Sequence, residues 1–147
     1  FSVEDFKSDF SSGATFPGIP SVAIIDEAID SNNERLILTD DVLSTLQNLA
    51  KYHREQFTIP FIAITGSNGK TTTKELVSTV LASHYTTYTT QGNFNNHIGV
   101  PLTLLSIKKD AEMVVVEMGA NHKKKLKAIA YTHYQHMALL PIVVKHI

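Results

Sequence analysis

The stretch FIAITGSNGKTTT at residues 61–73 constrains the fold of this chain most. It opens as a short apolar run containing β-branched residues and breaks into a turn with Gly66 and Gly69. It then sets Lys70 and the hydroxyls of Thr71, Thr72 and Thr73 at the mouth of a helical pattern. Strand, glycine turn and helix N-terminus, in that order, make a phosphate-binding loop. Glycine lets backbone N–H groups curl around an anion without a Cβ in the way. Lys70 is expected to reach the β- and γ-phosphates of a nucleotide and the Thr71 hydroxyl to ligate Mg²⁺. The spacing is G-x-x-G-K-T. The longer G-x-x-x-x-G-K-[ST] is not met, because Ile64 stands where its first glycine would be.

Beyond the loop, helical and extended patterns alternate. Residues 71–84 read as a helix with Leu76, Val77, Val80 and Leu81 on one buried side, and residues 85–90, rich in tyrosine and threonine, as a strand. A turn at residues 92–96 leads to a short helix at about 98–105, where Pro101 is tolerated in the first turn. Residues 113–118 form an apolar run interrupted by Glu117 alone, which suits a parallel strand covered on both faces. This alternation predicts an α/β domain with a doubly wound, mainly parallel sheet.

Before the loop the pattern differs. Residues 1–20 are polar with glycine and proline breakers. Short strands are expected at 21–25 and 34–38, either side of a turn at Ser31, Asn32 and Asn33. A helix capped by Asp40 or Asp41 runs to about Glu55, its buried stripe being Val42, Leu43, Leu46, Leu49 and Ala50. Thr58, Ile59 and Pro60 read as a junction. The expected division is therefore a partial α/β N-terminal domain at 1–57 and a nucleotide-binding domain at 58–147.

With 43% apolar and 18% charged residues the composition is that of globular material, and a formal charge of −1 gives no footprint for nucleic acid. No apolar run approaches a membrane span, and the absence of cysteine removes disulfides and thiolate metal sites. The chain starts at Phe1, which suggests a piece of something longer.

Two further stretches bear on chemistry. Glu117 ends its apolar strand where ligands gather in open α/β sheets, outside the carboxyl ends of the strands. A carboxylate there is costly to bury unless paired or bound to metal, and a phosphate loop needs one to help hold Mg²⁺. Asn93, Asn95 and Asn96 lie in the turn before the short helix. By chemistry alone a turn and a helix cap account for them better than a ligand does, although asparagine also suits a sugar or a diphosphate. His53, His84, His133 and His136 show no ligand spacing, and the lysines at 123–125 and 127 read as a solvated helix face.

Residues 65–72, 92–104 and 117–122 together resemble the Mur ligase family, the ATP-dependent amide ligases of peptidoglycan precursor synthesis. They are similar to the branch that joins D-alanyl-D-alanine to UDP-N-acetylmuramoyl-tripeptide. The resemblance implies that Gly66, Ser67, Asn68, Gly69, Lys70, Thr71 and Thr72 bind ATP, that Lys70 and Glu117 are catalytic, and that Thr71 and Glu117 hold Mg²⁺. It places Asn93, Asn95 and Asn96 beside the nucleotide-sugar substrate and the γ-phosphate. It also implies an acyl-phosphate route, a bacterial cytoplasmic setting and a monomer. Family members carry three domains. Here the first is short and without the opening UDP-binding motif, and the third, for the incoming amine, is not found. Residues 137–146 keep the outline of the family's next strand and metal-binding histidine, which makes His146 a metal ligand, although Pro141 and Ile142 replace expected polar residues. Folylpolyglutamate and cyanophycin synthetases, or a nucleotide-binding module without ligase activity, are the alternative readings.

Overall fold

In the computed structural model, which describes residues 22–27, 35–119 and the backbone of 137–142, the chain forms two units, Phe1–Val42 and Leu43–Ile147. The expectations for residues 1–20, the turn at 31–33, the lysines at 123–127, and His133, His136 and His146 lie outside the described residues. In the first unit β1 (Ala23–Ile25) and β2 (Leu36–Leu38) pair in parallel, with Ala23 opposite Leu36 and Ile25 opposite Leu38.

Helix α1 (Val42–Glu55) falls, from Leu43 onward, in the second unit. The helix is thus grouped with the second unit, although it precedes the junction at Pro60. The reason is packing. Ala50 is fully buried in the core of the second unit, and the Arg54 guanidinium lies 3.5 Å from the centre of the Phe61 ring. Arg54 Nη1 also donates to the Phe57 carbonyl at 2.9 Å, and His53 Nε2 bonds the Ile107 carbonyl at 2.9 Å. Burial pushes the Arg54 pKa down, partly offset by Glu55. Leu49, expected on the buried stripe, is instead 46% exposed, because the helix seats through Ala50, His53 and Arg54.

The second unit is built on a four-stranded sheet of β3 (Phe61–Gly66), β4 (Thr87–Thr89), β5 (Met113–Met118) and β6 (Met137–Ile142). Its order is β4-β5-β3-β6 and every pairing is parallel. Paired residues of parallel strands share a face, so the register sorts the side chains. Phe61 with Val114, Ala63 with Val116 and Thr65 with Met118 define one face. There Phe61, Ala63, Val114, Val116 and Met118 pack with Ala50 of α1 and with Val100 and Leu104 of α3 (Gly99–Leu105) to form the core. Ile64 with Glu117 and Thr89 with Val115 define the other face. Helix α2 (Lys70–Ala82) covers it, since Ser78 Oγ donates to Thr89 Oγ1 at 3.0 Å. Helices on both faces explain why β5 could be a near-continuous apolar run.

The face that α2 buries is rotated from the expected one: Val77 and Leu81 of the predicted stripe are half-buried, and Lys74 and Ser78 complete it. Leu76 and Val80 are 64% and 71% exposed, while Lys74 and Ser78 are buried. Polar bonds set this rotation: Lys74 Nζ reaches the Thr90 carbonyl at 2.8 Å and Ser78 reaches Thr89. Apolar periodicity carries no signal for such contacts.

Candidate functional site

The loop between β3 and α2 stands at the carboxyl end of the sheet, where the chain must turn from strand to helix. Gly69 makes that turn with φ +73°, a left-handed conformation that side chains disfavour, and a Cβ there would meet nothing within 4 Å. Glycine is thus required by backbone conformation and not by space. No side chain caps α2 at Gly69, and Thr73 N–H donates to the Gly69 carbonyl at 3.0 Å. The first N–H groups of a helix have no intrahelical partner, so this terminus offers donors and a partial positive charge to an anion. Ser67, Asn68, Thr71 and Thr72 are exposed around it. Lys70 Nζ folds back onto the loop, donating to the carbonyls of Gly66 at 2.9 Å and Ser67 at 3.3 Å.

Glu117 comes to the same end of the sheet, one register step before the Thr65–Met118 pair. It is 1% exposed. Its Oε1 accepts from Asn95 Nδ2 at 2.8 Å, whereas its Oε2 is buried with no hydrogen-bond partner. Thr65 Oγ1 is a second buried oxygen without a partner at this end. A buried carboxylate that uses one oxygen only is unfavourable unless a cation completes it. Mg²⁺ characteristically takes one or two protein carboxylates together with phosphate oxygens and water. Glu117, at the sheet end where the glycine loop opens and Thr71 is exposed, fits that donor set. Among the described residues no three His, Cys, Asp or Glu side chains gather to hold a metal by themselves.

The asparagine loop is pinned to this end. Gly119 N–H donates to the Asn95 carbonyl at 2.6 Å. Asn96 Oδ1 accepts from the N–H groups of Ile98 at 3.0 Å and Gly99 at 2.8 Å, which secures the first turn of α3. Asn93 accepts from Asn95 N–H through its carbonyl at 2.7 Å and exposes its side chain. The helix-cap reading therefore describes Asn96, and Asn95 holds the site's carboxylate. The structure thus brings together Gly66 to Thr72 as a loop, and Glu117 with Asn95 at the same sheet end. His146 lies outside the described residues. Two residues that the sequence did not single out also belong here: Lys74, buried on α2, and Thr90, whose Oγ1 accepts from Glu117 N–H at 3.0 Å. The one available signal was that Lys74 lies one helical turn beyond Lys70 and so shares its face.

Known proteins share this sequence and fold. A family model described as the Mur ligase middle domain matches residues 64–147. The chain is 45% identical over 98 residues to the UDP-N-acetylmuramoyl-tripeptide–D-alanyl-D-alanine ligase of Bacillus subtilis, a match covering 67% of this chain and 21% of that protein. A crystal structure of MurF from Acinetobacter baumannii superposes with a TM-score of 0.79 at 33% identity, covering 100% of this chain and 31% of that one. A MurF ligase from Thermotoga maritima, solved in complex with ADP, gives 0.70 at 32% identity over 84% of this chain and 29% of that one. The chain spans less than a third of the length of each.

Proposed function

The chain belongs to the Mur ligase family, and we propose that it is the ATP-binding part of a ligase joining D-alanyl-D-alanine to UDP-N-acetylmuramoyl-tripeptide in a bacterial cytoplasm. The observation that carries this reading is the buried Glu117. One of its oxygens is held by Asn95 and the other lacks a partner, at the sheet end where the loop opens. In this reading Gly66, Ser67, Asn68, Gly69, Lys70, Thr71 and Thr72 hold the phosphates of ATP. Thr71 and Glu117 hold Mg²⁺, joined by His146. Asn93, Asn95 and Asn96 lie by the nucleotide-sugar substrate. The sequence pattern assigns residues 1–57 to the substrate domain and residues 58–147 to the ATP domain, α1 of the former segment packing into the core of the latter.

Bound Mg²⁺ supplies positive charge against the phosphate oxygens. The chain's own residues position and neutralise. The α2 terminus and Lys70 offset charge on the β- and γ-phosphates, Lys70 exchanging its two loop carbonyls for phosphate oxygens. The tripeptide carboxylate takes the γ-phosphoryl group from ATP, and ADP leaves. The amine of D-alanyl-D-alanine then forms the amide as phosphate leaves, and the amine proton passes to solvent. Positioning and electrostatics of this kind are the protein's main contribution to phosphoryl transfer.

Calorimetric titration of the chain with ATP, with and without Mg²⁺, tests the reading. Saturable binding that tightens with Mg²⁺ is expected, and loss of that tightening in Glu117→Gln. Absence of nucleotide binding by the folded chain would overturn it.

A further inference from the structure

We infer that Lys74 is a positioning residue of this site: acting through Thr90, it fixes the backbone of Glu117 to the helix that carries the phosphate loop. This role rests on the proposed nucleotide-binding function. Lys74 is 1% exposed, and lysine is among the residues least often found so deep unless it is paired. Its Nζ lies 2.8 Å from the Thr90 carbonyl, to which it donates, and 2.7 Å from Glu75 Oε1.

Thr90 is fully buried, and all three of its polar atoms are engaged. Its carbonyl takes the Lys74 ammonium, its N–H donates to the Val115 carbonyl at 3.1 Å, and its Oγ1 accepts from Glu117 N–H at 3.0 Å. The last pair between β4 and β5 is Thr89 with Val115. Glu117 therefore lies past the end of β4, and its N–H meets the Thr90 hydroxyl where a neighbouring strand would have offered a carbonyl. From Thr90 the chain runs into the asparagine loop. There Asn95 holds Glu117 Oε1 and takes the N–H of Gly119. Backbone and carboxylate of Glu117 are thus both tied to residues 90–95, and a charged bond from α2 anchors that segment. An apolar side chain at 74 would fill the same space; only an ammonium grips the carbonyl. Phosphates on the α2 terminus and the metal-holding carboxylate are in this way kept in one frame.

Two variants test this on the full chain. Lys74→Met keeps the stem and removes the ammonium; Thr90→Val keeps the shape and removes the hydroxyl. The first readout is amide hydrogen exchange followed by NMR without ligand. In both variants Glu117 and Gly119 are expected to exchange about tenfold faster or more, the scale of one lost hydrogen bond, while Ala63 and Ile64 of β3 keep their rates. Equal acceleration in β3 would mean that Lys74 serves the fold as a whole, and it would overturn the inference; so would unchanged exchange at Glu117. The second readout is calorimetry. The Mg²⁺ concentration needed for tight ATP binding should rise about tenfold in each variant and no further in the double variant, while affinity without Mg²⁺ stays within about twofold. Additive effects of the two substitutions would overturn the chain of contacts. Should Lys74→Met not fold, Thr90→Val decides by the same criteria. A wild-type chain that binds no ATP overturns the nucleotide reading instead, and the exchange rates at Glu117 then report on the Lys74 linkage by themselves.

Discussion

The Lys70 ammonium rests on two neutral carbonyls of its own loop, those of Gly66 and Ser67. Phosphate oxygens would replace them with charge-assisted bonds of roughly twice the strength. Lys70→Ala removes that charge while leaving the backbone turn. In the intact ligase, ATP-dependent turnover is expected to fall by about 10²–10³-fold or more, by analogy with loss of one preorganised donor. Steady-state kinetics of the purified variant check this, and near-normal turnover would sink the loop assignment. Glu117→Gln keeps shape and hydrogen-bonding reach but removes one negative charge from the proposed Mg²⁺ site. Fold is expected to be retained, as judged by circular dichroism, with a higher Mg²⁺ requirement; an unchanged Mg²⁺ dependence would make Glu117 a structural residue only. Both residues stand out in the sequence by local context, a lysine after a glycine turn and a carboxylate in an apolar run, and the structure places them at the carboxyl end of one sheet. The task of Asn95 was not, since its partner Glu117 is distant in sequence and meets it only after the sheet forms.

At the scale of elements, the order of strands and helices was legible and the facing of helices only in part. β3, α2, β5 and the short α3 stand within a residue or two of where periodicity and turn chemistry set them. The rotation of α2 escaped because Leu76, Val77, Val80 and Leu81 make a plausible apolar stripe. The sheet instead selected the side of Lys74 and Ser78 through hydrogen bonds to Thr90 and Thr89. Glycine positions give the sharpest tests here. A Cβ on Gly99 would stand 2.4 Å from the Phe94 Cα, a backbone atom that cannot give way without moving the asparagine loop. Gly99→Ala is therefore expected to destabilise by about 1–3 kcal/mol, as overpacking does, and to lower the thermal midpoint. Gly69→Ala meets no atom but must hold φ +73°, at a cost of about 1–2 kcal/mol. The two substitutions should separate in calorimetry. Gly69→Ala weakens ATP binding by distorting the loop itself, whereas Gly99→Ala acts through Asn95 and Glu117 and shows mainly in Mg²⁺ dependence. Identical behaviour of the two would contradict the division of labour between loop and carboxylate.

For the whole molecule the governing fact is proportion. The match to the Bacillus subtilis ligase takes in 67% of this chain but 21% of that enzyme, and the chain spans 31% of the Acinetobacter baumannii structure. The proposed nucleotide elements are close together in this stretch: loop, α2 terminus, Asn95 and Glu117 all lie within one parallel sheet and its connections. Amide formation asks for more, because the tripeptide carboxylate, the γ-phosphate and the incoming amine must be held in register. Positioning of that kind is worth about 7–11 kcal/mol of a barrier. The resemblance assigns most of that holding surface to further domains, one for the UDP group and one for the amine. These 147 residues by themselves are therefore expected to bind ATP with Mg²⁺ and to form no amide product. One preparation and two assays decide it: calorimetry with ATP, and chromatographic detection of product from UDP-N-acetylmuramoyl-tripeptide with D-alanyl-D-alanine. Product at a rate near that of a full-length ligase would show that the phosphate loop and the Glu117–Asn95 pair suffice to orient both substrates. That would overturn the partition of binding from ligation. ATP binding without product, restored to turnover when the same sequence is placed within a full-length ligase frame, is the expected outcome.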